Sequence, residues 1–180
     1  MPPITTVDGR RIGRRGLKTR QAILTATAEM LADTGVVDMK VMDLARVAGT
    51  SPATFYQYFA TRDAVLLELA ADLVRQTARA VATATDGATA LSACFKVWQS
   101  HGPVLRTVEV LAATNADFRK IRGRIRKPLA DFLGRAAASD AFPVEQVNAV
   151  LAMVSATAAD SPTARERTTV LNVALTTIGC

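Results

Sequence analysis

Lys40 to Arg62 reads K-V-M-D-L-A-R-V-A-G-T-S-P-A-T-F-Y-Q-Y-F-A-T-R, and this stretch decides the fold. Leu44, Ala45, Val47 and Ala48 supply the apolar side of a short helix. Gly49 then stops it, because glycine takes a positive φ at little cost. Thr50 or Ser51 can cap a second helix, and Pro52 suits a first turn where the amide hydrogen has no intrahelical partner. Phe55 and Phe59 lie four residues apart and face inward together, which leaves Tyr56, Gln57 and Tyr58 on or near the other side. Two short helices across so tight a turn make a helix-turn-helix.

The ordered set L-A-x-x-A-G-T-S-x-A-T-F-Y-x-Y-F-x-T-R-D-A-V-L, from Leu44 to Leu66, resembles the DNA-binding signature of the TetR family of transcriptional repressors. With the helix before it, the resemblance runs from Lys18 to Leu69. It implies an all-α chain: an N-terminal three-helix helix-turn-helix DNA-binding domain, joined by a long helix to a C-terminal helical domain for ligand binding and dimerisation. The helix opened by Pro52 is then the recognition helix. The resemblance assigns groove contact to Ala53, Thr54 and Tyr56, and phosphate contact to Thr50, Ser51, Gln57, Tyr58 and Arg62. Hydroxyls and a cation suit phosphates, and an alanine can touch a thymine methyl. Either tyrosine could instead be a core residue with its hydroxyl at the surface. Pro52 to Phe59 holds no Arg or Asn for bidentate base reading, so DNA shape is expected to share the selectivity.

Residues 1–16 are rich in Pro, Gly and Arg and are expected to form a flexible basic arm. Arg10, Arg11, Arg14, Arg15, Lys18 and Arg20 gather charge before the first helix. A solvated tail is the plain reading; beside a helix-turn-helix, contact with phosphate or minor groove is favoured, with Arg14 and Arg15 as candidates. The domain of residues 17–62 starts with a helix over Leu17 to Asp33, closed by Gly35. Lys40 stands where the resembling family commonly has a capping Thr or Ser. Lysine cannot accept the cap bonds, so that helix start rests on Asp38 or is looser, and Lys40 is left open to reach a phosphate.

Residues 63–180 form the remainder. Thr61 or Arg62 opens a helix to about Thr85, with Leu66, Leu69, Ala70, Leu73, Thr77 and Val81 inward and Glu68, Asp72, Arg75 and Arg79 outward. Five further helices fall near Thr89–Ser100, Pro103–Thr114, Ala116–Ala138, Val144–Ala159 and Ala164–Ile178. Phe95, Trp98, Phe118, Phe132 and Met153 either line an apolar ligand cavity, as the resemblance implies, or pack as core. Glu109 is expected to pair with Arg106 at the surface, and His101 to occupy a surface turn. The basic run from Phe118 to Lys127 is a solvated face or a second anion-binding surface, and Pro128 is expected to kink or interrupt its helix. The last two helices are dense in small residues; they pack internally or, as the resemblance implies, join two chains into a homodimer.

The chain has 180 residues, 49% of them hydrophobic, and a formal charge of +6 that favours an anionic partner. Two cysteines, Cys94 and Cys180, and one histidine argue against a disulfide framework or a zinc site, so no metal and no cofactor are expected. No apolar run approaches membrane-spanning length, the start lacks a signal core, and a cytoplasmic setting without membrane partners is expected. No nucleophile–base set or phosphate loop marks an enzyme. The expected function is a dimeric regulator that binds a palindromic double-stranded DNA operator and is released by a small apolar effector. The alternative is an effector-independent DNA-binding or architectural protein whose C-terminal part only dimerises.

Overall fold

The computed structural model describes residues 4–136, 144–160 and 163–177. Among them the architecture is all-α: α1 (Arg14–Asp33), α2 (Val41–Val47), α3 (Pro52–Tyr58), α4 (Arg62–Ala82), α5 (Gly87–Ser100), α6 (Gly102–Ala112), α7 (Ala116–Ala136), α8 (Val144–Ala159) and α9 (Ala164–Thr177). The chain divides into two compact units between Leu69 and Ala70, inside α4.

In the first unit α1, α2 and α3 pack on one another. Ile23, Leu44, Ala45, Phe55 and Val65 have no exposed surface, and Phe59 retains only 3%. The buried hydroxyl of Thr27 donates to the Ile23 carbonyl (2.7 Å), so a polar side chain sits in this core without an unpaired group. The first helix begins at Arg14 rather than Leu17, with Gly13 as its N-cap and no side-chain cap bond.

In the second unit α5 packs against α6, α7, α8 and α9, and α7 lies against both α6 and α8. Phe118, Ile121, Ile125, Leu129 and Leu133 form the buried stripe of α7; Phe132, expected to line a cavity or pack as core, is only half-buried. The helix continues through Pro128, so of the expected kink or interruption the interruption does not occur. Proline removes the N–H that would bond to Arg124, but the buried residues on both sides of it hold the helix to its neighbours. Trp98 is fully buried and its Nε1 donates to the Thr77 hydroxyl at 3.0 Å, while that hydroxyl donates to the Leu73 carbonyl at 2.9 Å. Burial pushes the Cys94 thiol up to about 12, so it stays protonated and unreactive at neutral pH.

Two local expectations need correction. Glu109 does not pair with Arg106; it meets Arg126 at 2.6 Å and Arg122 at 3.5 Å on α7, while Arg106 pairs with Asp160 at 3.2 Å. Arg126 also donates to the Ser155 hydroxyl at 2.9 Å, so part of the basic run is bound up inside the unit. His101 stands in the expected turn but is half-buried and partnered: its Nδ1 lies 2.9 Å from the Val97 carbonyl and its Nε2 3.0 Å from Gln76 Nε2.

Thr77→Val keeps the shape of the α4 stripe but strands the buried Trp98 N–H. It should lower unfolding stability by about 1–3 kcal/mol, the desolvation cost of an unpaired donor. Denaturant melts of the two proteins measure this, and an unchanged midpoint would contradict it.

Candidate DNA-binding surface

The recognition helix α3 has seven residues. A helix that short does not persist alone, so its position depends on what it packs against. Phe55 is entirely buried, its ring centroid 5.8 Å from that of Phe59 and 5.5 Å from that of Tyr56. The Arg20 guanidinium carbon stands 4.9 Å over the Phe59 ring, and Arg20 is in turn paired with Glu68. Glu68, expected to lie outward, therefore belongs to the packing of the first unit.

The turn before α3 takes the expected form. Gly49 has φ +65°, a conformation that side chains resist, and the Thr50 amide donates back to Ala45 at 2.8 Å. Ser51, rather than Thr50, caps the helix: its Oγ accepts from the Thr54 amide at 3.1 Å, and Pro52 fills the first turn. Ser51 and Thr54 also share a hydroxyl–hydroxyl bond of 3.0 Å, so one of the two retains a hydroxyl donor for another acceptor. Lys40 is the N-cap of α2, makes no side-chain cap bond and is exposed.

With Phe55 and Phe59 inside, Ala53, Tyr56 and Gln57 are exposed and Thr54 is half-buried. They occupy the outward arc of α3, as four-residue alternation about the two phenylalanines requires. Tyr56 keeps 50% of its surface. A groove of about 600 Å³ adjoins this arc, lined among others by Arg15, Lys18, Thr19, Thr50, Thr54 and Tyr58. Two cations and four hydroxyl groups around one concavity are the donor set a phosphate needs. Lys18 and Thr19 are the members that sequence reasoning passed over as site residues. Arg15, Lys18, Thr19 and Ala22 recur at helical spacing and all line this groove, a pattern hidden by starting the helix at Leu17.

Arg62 is placed differently from its expected phosphate role. Its Nη1 donates to the carbonyls of Val36 (3.1 Å) and Met39 (3.3 Å), and its Nε lies 3.5 Å from Asp63. A guanidinium spent on two loop carbonyls holds the α1–α2 connection to the start of α4. Arg14, Arg15 and Lys18 are exposed.

The expected flexible arm also needs correction over residues 4–12. Thr5 and Arg11 form an antiparallel bridge, Thr6 N donates to Arg10 O at 2.8 Å, and Ile12 N donates to Ile4 O at 3.1 Å. Gly9 makes the turn at φ +84°, and Arg10 pairs with Asp8 at 2.8 Å. The Thr6 hydroxyl, opposed by slight desolvation and aided by Arg10, holds the Asp8 carboxyl below its ordinary value. A lowered carboxylate contributes stability above its unfolded pKa and loses it as pH falls through the folded value, so whatever Asp8 adds to the turn is present at neutral pH. The hairpin is not isolated, because the Val7 amide donates to the Gln57 carbonyl of α3 at 2.9 Å.

The ligand candidates of the second unit lie at different depths. Phe95, Trp98 and Phe118 are buried core side chains, with at most 2% of their surface exposed. Met153 is half-buried on α8. Phe132 borders a groove of about 320 Å³ with Val81, Ala82, Pro128, Asp131 and Arg135. Among the described residues no cluster of His, Cys, Asp or Glu could hold a metal, and no helix is long and apolar enough to cross a membrane.

Comparison with known proteins agrees with this geometry. Residues 23–69 match the family model described as "Bacterial regulatory proteins, tetR family". The HTH-type transcriptional regulator EthR of Mycobacterium tuberculosis is 33% identical over 124 residues, 63% of this chain and 57% of that protein. EthR of Mycolicibacterium smegmatis is 42% identical over 72 residues, 39% of this chain and 33% of that protein. The matches thus span from a third to little over half the length of these relatives. A transcriptional regulator from Rhodococcus sp. Rha1 has the same fold, with a TM-score of 0.72 at 19% identity over 89% of this chain and 94% of that one. A TetR family transcription regulator from Marinobacter aquaeolei VT8 superposes with a TM-score of 0.67 at 18% identity, covering 91% and 97% of the two chains. Over residues 23–69 this chain is thus similar to the bacterial regulatory proteins of the tetR family.

Arg62→Gln separates the two roles of that side chain. It should lower the unfolding midpoint of the protein while leaving the salt dependence of DNA binding unchanged. A phosphate contact would instead reduce the salt slope by about 1 without affecting stability.

Proposed function

We propose that this protein is a homodimeric, sequence-specific DNA-binding regulator, a repressor released from a palindromic operator by a small apolar molecule. The observation that carries the DNA-binding part is the outward arc Ala53, Thr54, Tyr56 and Gln57, set beside a groove lined by Arg15, Lys18, Thr50 and Tyr58. Ala53, Thr54 and Tyr56 enter the major groove; Thr50, Ser51, Gln57, Tyr58, Lys40, Arg14 and Arg15 hold phosphates. Pro52 fixes the approach of the helix N-terminus. The net charge of +6 supplies the long-range attraction.

Dimerisation through α8 and α9 is supported by the surface of α9. Val173 keeps 48% of its surface and Val170 and Leu171 are half-exposed, apolar positions that the described residues leave open. A two-fold pair of recognition helices matches a palindromic site. For ligand control, the supporting features are the aromatic core of the second unit and the groove beside Phe132 and Pro128. An effector acts only through unequal affinity for the DNA-bound and released forms. The setting is cytoplasmic, with no cofactor and no membrane partner.

Selection of bound DNA from a genomic library, followed by dimer-to-operator titration, tests the reading. Thr54→Ala and Tyr56→Phe should each weaken specific binding by about 1–3 kcal/mol, the scale of one lost base contact, while sedimentation still shows a dimer. Retained operator affinity in both would refute the assignment. Apolar compounds that quench Trp98 should also release DNA; binding without release would leave the effector-independent alternative in place.

A further inference from the structure

The last turn of any helix leaves carbonyls without intrahelical partners. In α3 one of them, that of Gln57, is taken by a residue fifty positions earlier, through the Val7 amide at 2.9 Å. The hairpin that presents Val7 is itself held at its base, where Ile12 is buried to 9% exposure. Gly16 lies at the meeting point of these pieces. A Cβ there would stand 2.6 Å from Ile12 Cγ2 and 3.0 Å from the Tyr58 hydroxyl. Glycine is disfavoured within a helix, yet α1 carries one in its first turn, where the hairpin and the end of α3 close upon it.

We propose that the N-terminal hairpin, residues 4–12, is a positioning element of DNA reading, in which Val7, Ile12 and Gly16 set the angle of the recognition helix. Its contribution is geometric and distinct from the charge of the neighbouring arginines. The Val7–Gln57 bond anchors the C-terminal end of α3 while Ser51 caps its start, so the helix is fixed at both ends. A helix of seven residues with one end released can pivot about Phe55, and a small tilt displaces Thr54 and Tyr56 from the base edges they read. Non-specific binding, which depends on the number of cations, is indifferent to that tilt. This inference rests on the DNA-binding reading above.

Removing residues 4–9 tests it. The deletion takes away Val7 and one acidic group, Asp8, and keeps Arg10, Arg11, Arg14, Arg15, Lys18 and Arg20. An arm acting by charge alone would bind operator as well as or better than before. The positioning role requires operator affinity to fall on the order of 10-fold, the worth of one mismatched base pair, with non-specific affinity and salt slope retained. Gly16→Ala is the second variant, for it removes nothing from the hairpin and places a better helix former in α1. It should lower operator affinity in the same sense, with non-specific affinity and salt slope retained. Full operator affinity in either variant overturns the inference; loss in the deletion alone would mean that the hairpin touches DNA itself. Failure of the parent protein to select any sequence would instead overturn the DNA-binding reading.

Discussion

The burial of Phe55 and Phe59 is the contact on which the first unit depends. Each ring removes apolar surface from water worth roughly 1.5–3 kcal/mol, against a helix with too few internal bonds to stand alone. Once those rings face Ile23, Leu44 and Ala45 in the core, which face of α3 points outward is settled, and only its tilt is left to other contacts. Ala53, Thr54, Tyr56 and Gln57 are presented because their neighbours are consumed. Arg20 extends the same contact, stacking on Phe59 while paired with Glu68, so that α1 and the start of α4 are tied to the ring that places the recognition helix.

The second unit shows the opposite economy of charge. Glu109, Arg122, Arg126 and Ser155 come from three helices and meet as a partly buried cluster. Glu109 takes its opposite charge from α7 and not from Arg106 three residues before it, and Ser155 of α8 adds a hydrogen bond to Arg126. The local pairs that spacing does foretell, Asp72 with Arg75 and Asp117 with Lys120, lie on exposed surfaces and are worth little. The dense basic run around Arg122 is accordingly part structural glue and part solvated face. Trp98 follows the same rule, since its buried N–H finds Thr77 on another helix rather than a neighbour on its own.

What the sequence determined by itself was the set of local events. The positive φ at Gly49, a cap at Thr50 or Ser51, the first-turn proline, the paired phenylalanines and the order of helices are all short-range consequences of residue type and period. The poor cap at Lys40 was legible for the same reason. Tertiary structure decided wherever a polar group had to choose among distant partners. Arg62 is drawn to the Val36 and Met39 carbonyls, Glu109 to α7, and Val7 to Gln57, each across a separation that no periodicity encodes. Arg14 to Gly16 are the first turn of α1, with Ile12 and Tyr58 beside Gly16; read locally, two arginines and a glycine after Gly13 make a loop. The physical reason is common to all of these. A helix face is dictated by neighbours three and four residues away, whereas an unpaired donor or charge is satisfied by whatever the completed fold brings within 3 Å.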